Sequence, residues 1–171
     1  MAFDNARAVT YLAHAFEAAD DHLRVEIMKA MAQIHDRSVI PELRKFLQSD
    51  GTKHTSVIEA LGNFGDPEAI PDLIAYYRKL SPHTSPVTLR ALGKIGHPDA
   101  LKLLGEVLGT YDNPHYREDY DEFNAALEAI QLIGTSAAID KLEQCFRAAT
   151  NGSSRTSIQK AIAALRQSQG V

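Results

Sequence analysis

Ala60-Leu61-Gly62-Asn63-Phe64-Gly65-Asp66-Pro67-Glu68-Ala69-Ile70-Pro71-Asp72-Leu73 returns almost position for position as Ala91-Leu92-Gly93-Lys94-Ile95-Gly96-His97-Pro98-Asp99-Ala100-Leu101-Lys102-Leu103-Leu104. A weaker copy runs from Ala30-Met31 through Ile34, Val39-Ile40-Pro41 and Leu43, and another from Ala129-Ile130 through Ile133-Gly134, Ala138-Ile139 and Leu142. A truncated one ends at Ala164-Leu165. The alanines stand at 30, 60, 91, 129 and 164, so the steps are 30, 31, 38 and 35 residues. A period of about 30–40 residues held over four steps marks an array of two-helix units, each burying its apolar face against its neighbours.

Within a unit the apolar spacing is helical. Leu23, Ile27, Met31 and Ile34 recur every three or four residues, as do Val57, Ile58, Leu61 and Phe64, then Leu89, Leu92 and Ile95, then Phe123, Leu127, Ile130 and Ile133. The alanine before each Leu or Ile keeps one place in every unit small, which lets neighbouring helices approach. Gly65, Gly96 and Gly134 close these helices as left-handed caps. Asp66-Pro67 and His97-Pro98 then open the next helix, the first residue as cap and proline where its missing N–H costs nothing. The second prolines, Pro41 and Pro71, fall a turn later and predict a short distorted turn ahead of each of these helices. Their apolar faces are Val39, Ile40, Leu43, Phe46 and Leu47, then Ile70, Leu73, Ile74 and Tyr77, with later copies around Leu104 and Leu142. With an opening helix over about Asn5 to Ala19, the expectation is about nine helices and no strand. The fold expected is an all-α, right-handed α-solenoid of about four to five hairpins, one domain over residues 1–171, with an insertion at 109–122.

Composition narrows the function classes. The 171 residues hold 18 Lys and Arg against 22 Asp and Glu, a net charge of −4, with one cysteine and no tryptophan. One cysteine excludes a disulfide framework and a Cys-based zinc cluster. The acidic balance argues against bulk nucleic acid as the partner, since neutralising phosphates takes clustered Lys and Arg. No run of about 20 apolar residues is present, and the N-terminus has no basic segment leading into an apolar one. The expectation is therefore no membrane partner and a cytoplasmic setting.

The residues offer little chemistry. None of the seven histidines has a His or Glu at helical spacing that recurs in a second unit, so no metal or other cofactor is expected. Cys145 lies on an apolar stripe with Leu142 and Phe146, and a buried thiol in such surroundings is inert. The glycines at 62, 65, 93 and 96 hold a repeat position and do not cradle a phosphate. No catalytic residue is assigned.

The motif Ala-Leu-Gly-x-Ile/Phe-Gly-x-Pro-x-Ala-Ile-Pro-x-Leu resembles the HEAT-like repeat named after phycobiliprotein lyases, from about Leu23 to Leu165. That resemblance implies a solenoid fold. It also implies one alternative function, a bilin lyase-like or pigment-protein chaperone subunit. A Val-Arg pair often opens the second helix in that family; Leu23-Arg24 approximates it here, and Lys53-His54, Thr84-Ser85, Glu122-Phe123 and Ser157-Ile158 stand at the equivalent places.

Two features point to recognition of a protein partner. Lys29, Glu59, Arg90, Glu128 and Ala163 each fall two residues before the repeat Leu or Ile, so stacking aligns them in one row of alternating sign on the concave face, with Arg24 beside its start. Such a row also serves as a ladder that fixes the register of the units, at about 0–1 kcal/mol per exposed pair. The insertion gathers three of the six tyrosines, Tyr111, Tyr116 and Tyr120, beside five carboxylates. Insertions in repeat arrays map to loops on the binding side, and tyrosine is enriched where interfaces concentrate their energy. The leading expectation is thus a non-catalytic interaction scaffold or adaptor. Ile162 and Leu165 have no following repeat to cover them, which leaves the oligomeric state open.

Overall fold

Every unit of the repeat becomes an antiparallel helical hairpin in the computed structural model, which describes residues 5–34, 36–48, 54–79, 86–110, 112 and 120–170. The hairpins are α1 (Asn5–Ala18) with α2 (Asp21–Ala32), α3 (Ile40–Gln48) with α4 (Thr55–Phe64), and α5 (Ile70–Lys79) with α6 (Pro86–Ile95). Then follow α7 (Leu101–Thr110) with α8 (Tyr120–Ile133), and α9 (Ser136–Ala148) with α10 (Gly152–Gln169). That makes ten α-helices and no strand among the described residues, against the nine or so expected. The last copy, read as truncated, is an 18-residue helix: Asn151 caps it, and Ile158, Ala161, Ile162 and Leu165 bury one face.

The hairpins stack into an all-α solenoid of two layers. Helices α3, α5, α7 and α9 form one layer and α2, α4, α6 and α8 the other. The core between them includes Met31, Leu43, Leu61, Leu73, Leu92, Leu104, Ile130 and Leu142, none exposed to solvent. Burying one such side chain stabilises by about 1.5–3 kcal/mol relative to leaving it in water.

The punctuation does what its chemistry demands. Gly65, Gly96 and Gly134 sit at φ of 65°, 73° and 64°, a region where a Cβ would be strained. Single 3-10 turns at Arg37–Val39, Pro67–Ala69 and Pro98–Ala100 precede α3, α5 and α7; Pro41 and Pro71 anticipate the first two, and the third forms without a second proline. The Asp66 carboxylate accepts the Glu68 N–H at 3.0 Å, and His97 Nδ1 accepts the Asp99 N–H at 3.4 Å.

Close approach of neighbouring units rests on glycine meeting alanine. A Cβ built on Gly62 would stand 2.8 Å from the Ala91 Cα, and one on Gly93 would stand 2.5 Å from the Ala129 Cα. Each Ala-Leu-Gly therefore offers its glycine to the alanine of the next copy. In α8 the glycine position is Gln131, and α10 packs on α9 while touching α8 lightly. Ile162 and Leu165 are buried against the preceding helices, and the exposed face of α10 is mostly polar. Cys145 departs from its expected burial. It is half-buried, on the wall of an opening between α7 and α9.

Candidate functional site

On the α2–α4–α6–α8 layer each helix shows solvent one narrow stripe. Thr55, Glu59 and Asn63 are exposed on α4, Arg90 and Lys94 on α6, and Asp121, Asn124, Glu128 and Leu132 on α8. The row anticipated from spacing is thus an exposed surface, and Lys29, Glu59, Arg90, Glu128 and Ala163 all lie in solvent. The pairing along it differs from a uniform ladder. Arg90 Nε stands 3.5 Å from Glu128 Oε2, joining α6 to α8. Lys94 donates to Asn63 Oδ1 at 2.9 Å, joining α6 to α4. Lys29 turns to Glu26 in its own helix at 2.8 Å, and Glu59 has no ion-pair partner among the described residues.

Arg24 is half-buried. Its Nε donates to the Phe16 carbonyl at 3.3 Å and its guanidinium lies 5.3 Å over the Phe16 ring, so it fastens α2 to α1. Tyr111 and Tyr116 lie outside the described residues. Tyr120 opens α8, and the placement of its side chain is likewise outside them. Leu132 was not singled out from sequence. It is 60% exposed at the position where the preceding units carry Asn63 and Lys94, which was a signal available in the alignment of repeats.

The stronger ion pairs between units are on the other layer. Arg44 reaches Asp72 at 2.6 Å and Glu68 at 3.0 Å, and Gln48 donates to Asp72 at 3.1 Å. The Asp72 hydrogen bond holds the Arg44 guanidinium above its ordinary range. Arg37–Asp66 at 3.0 Å and Arg78–Glu106 at 3.2 Å continue the series.

A polar cluster lies beneath the ends of α4, α5 and α8. Glu122 is 3% exposed, and its Oε2 accepts the Tyr77 hydroxyl proton at 3.0 Å. Burial pushes the Tyr77 phenol well above its usual range, and the Glu122 carboxylate adds to the shift. The buried His54 ring meets the Tyr76 ring edge-on at 5.4 Å. Glu122 was counted from sequence among the carboxylates of the insertion loop; the structure instead makes it the bolt between that segment and the preceding hairpin.

A cleft of about 460 Å³ opens between α7 and α9, with Cys145 on its wall. Burial pushes the Cys145 thiol up, with Lys141 opposing, so it stays protonated at neutral pH. Asp112 closes one end. Its carboxylate accepts from the Thr150 N–H and hydroxyl and from the Asn151 N–H. Partial burial alone would raise this carboxyl, but those donors outweigh it and hold the group below the usual range. Among the described residues no group of three or more His, Cys, Asp and Glu is arranged to hold a metal ion. No described helix is long and apolar enough to cross a membrane.

Comparison with known proteins agrees with this architecture. Residues 52–122 match the model for HEAT repeats, and residues 23–49 match the PBS lyase HEAT-like repeat. A deoxyhypusine hydroxylase from Candida albicans is 31% identical over 77 residues, which cover 43% of this chain and 24% of that protein. The chain therefore spans about a quarter of the length of the curated relative it matches.

Proposed function

We propose, from the premise that the chain is a HEAT-like repeat protein, that it acts by holding a protein partner and not by chemistry. The surface is the exposed stripe of α2, α4, α6 and α8, with Lys29, Glu59, Arg90 and Glu128 as its charged positions and Arg24 at its margin, and the reading adds Tyr111, Tyr116 and Tyr120 of the 109–122 segment. The observation that carries this reading is Leu132. A large apolar side chain stands 60% exposed beside Glu128, on a face otherwise lined by short polar and charged groups. An apolar anchor within a polar rim is how interfaces concentrate their energy. HEAT repeats commonly mediate protein–protein interaction, and the hydroxylase activity of the matched relative is not carried over from a quarter of its length.

The test is capture of partners from a lysate by wild type, by Leu132→Asp with Arg90→Glu, and by a variant with all three tyrosines changed to alanine, each shown to melt like wild type. A protein retained by wild type and lost from either variant supports the reading and says which part of the surface is used. Equal capture by all three would move the site elsewhere.

The match of residues 23–49 to the PBS lyase HEAT-like repeat favours a second reading, a pigment-handling subunit. Purified protein mixed with a bilin shifts the visible absorption band under this reading, and leaves it unchanged under the first.

A further inference from the structure

We propose that the cleft between α7 and α9 binds a small amphipathic carboxylic acid, its carboxylate held by Lys102 and Lys141 and its apolar tail laid against Leu108 and Ile158. The inference stands apart from the partner-binding surface, which lies on the other layer.

The space is built into the helices. Gly109 leaves the α7 wall open, since a Cβ there would meet nothing within 4 Å, and Ala148 and Ala149 keep the end of α9 small, while the Lys141 stem lies over Gly105. Leu108 and Ile158 form a floor that is itself 1% exposed, held by the core beneath. At about 460 Å³ the cleft lies within the range of about 300–1,000 Å³ that small organic ligands occupy.

Its charges select the ligand. Two carboxylates line the cleft and both are already answered. Glu106 is paired with Arg78 at 3.2 Å, and Asp112 is saturated by Thr150 and Asn151. The two lysines are not. Lys141 Nζ reaches only the neutral Gln144 Oε1, at 3.1 Å, and neither Lys102 nor Lys141 has a carboxylate partner among the described residues. The uncompensated charge in the cleft is therefore positive. Lys102 stands at the start of α7 and Lys141 midway along α9 with its stem against Gly105, whereas Gly109, Ala148 and Ala149 stand toward the C-terminal ends, where Asp112 ties the two together. The cations and the small apolar residues thus occupy different parts of the cleft, which fits a ligand with a charged head and an apolar tail.

The chain's single cysteine reports occupancy, because the Cys145 Sγ lies on the cleft wall, 3.9 Å from the Gly105 carbonyl oxygen. The experiment is calorimetric titration of the full chain with decanoate, together with the rate of Cys145 alkylation by iodoacetamide. Expected are one site of micromolar affinity and alkylation slowed about tenfold at saturation. Lys102→Gln with Lys141→Gln should weaken binding about tenfold or more. Ala148→Trp, placed at an exposed position on the rim, should abolish binding while preserving the melting curve. Absence of both heat and protection at millimolar decanoate would overturn the proposal. So would equal binding of decanoate and decanol, or binding unchanged in the lysine variant. Protection by an acidic peptide but not by decanoate would overturn it in favour of a peptide groove.

Discussion

Gly93 and Ala129 are in such close register that a Cβ on Gly93 would fall 2.5 Å from the Ala129 Cα, nearer than any real pair of such atoms. The backbones of α6 and α8 touch there. Gly93→Ala should force the helices apart, and overpacking of this kind costs about 1–3 kcal/mol. Gly62→Ala, with 2.8 Å to Ala91, should cost less. Gly109→Ala meets nothing within 4 Å and should be neutral or gain about 0.5 kcal/mol from lost chain entropy. Urea unfolding of the three variants checks the order; equal stability would contradict the register.

Asp112 clamps the start of α10 through three donors, and its carboxyl is held below the ordinary 3.8. A depressed carboxyl contributes stability above its unfolded value and loses it as pH falls through the folded one. Asp112→Asn should therefore be less stable than wild type near neutral pH by about 1 kcal/mol. The gap should close once pH drops well below 3.8. Thermal melts of both proteins across that range make the measurement.

Tyr77 carries the opposite sign. Its phenol is buried neutral and raised from an ordinary 10, so its contribution is complete below that value and drains away as pH rises through the folded one. Tyr77→Phe should cost about 1–3 kcal/mol near neutral pH by withdrawing a donor from buried Glu122. Burial raises the neighbouring Tyr76 as well, so titration of phenolate absorbance should show two tyrosines ionising late, and the variant should lose one of the two.

Arg90 and Glu128 are about half exposed and 3.5 Å apart, so Arg90→Ala should change stability by less than about 0.5 kcal/mol. Asp72, 13% exposed and bonded to Arg44 at 2.6 Å and to Gln48, is different. Asp72→Ala should cost about 1–2 kcal/mol. Denaturation midpoints of the two variants test the contrast, and a neutral Arg90→Ala leaves that surface free for binding assays.

The architecture was legible because its signals are local and recur. Glycine at a left-handed cap and proline in a first turn act within a few residues, so Gly65, Asp66 and Pro67 can be read without knowing what lies above them. The small residue at each Ala-Leu was legible as a packing device, although its true partner is the glycine of the preceding copy. Contacts across units were harder. Arg44–Asp72 and Arg78–Glu106 are each 28 residues apart, close to the repeat period, and were within reach of the pattern. Tyr77–Glu122 spans 45 residues because the insertion intervenes, and no fixed offset finds it. The cleft was invisible for another reason. It arises where side chains are small or missing, at Gly109 and Ala148, on two helices that only stacking brings side by side.

Gln131 at the glycine position of α8 has a mechanical consequence. The central hairpins share backbone contact at two successive junctions, α4 against α6 and α6 against α8. The last hairpin is joined to them through α7 against α9, through lighter contacts of α9 and α10 with α8, and through the Asp112 clamp. That junction lacks the glycine–alanine backbone contact of the central ones, so heat or force should release this hairpin before the central hairpins part. A body bound across Leu132 and α10 would bridge that joint and make the array unfold in one step.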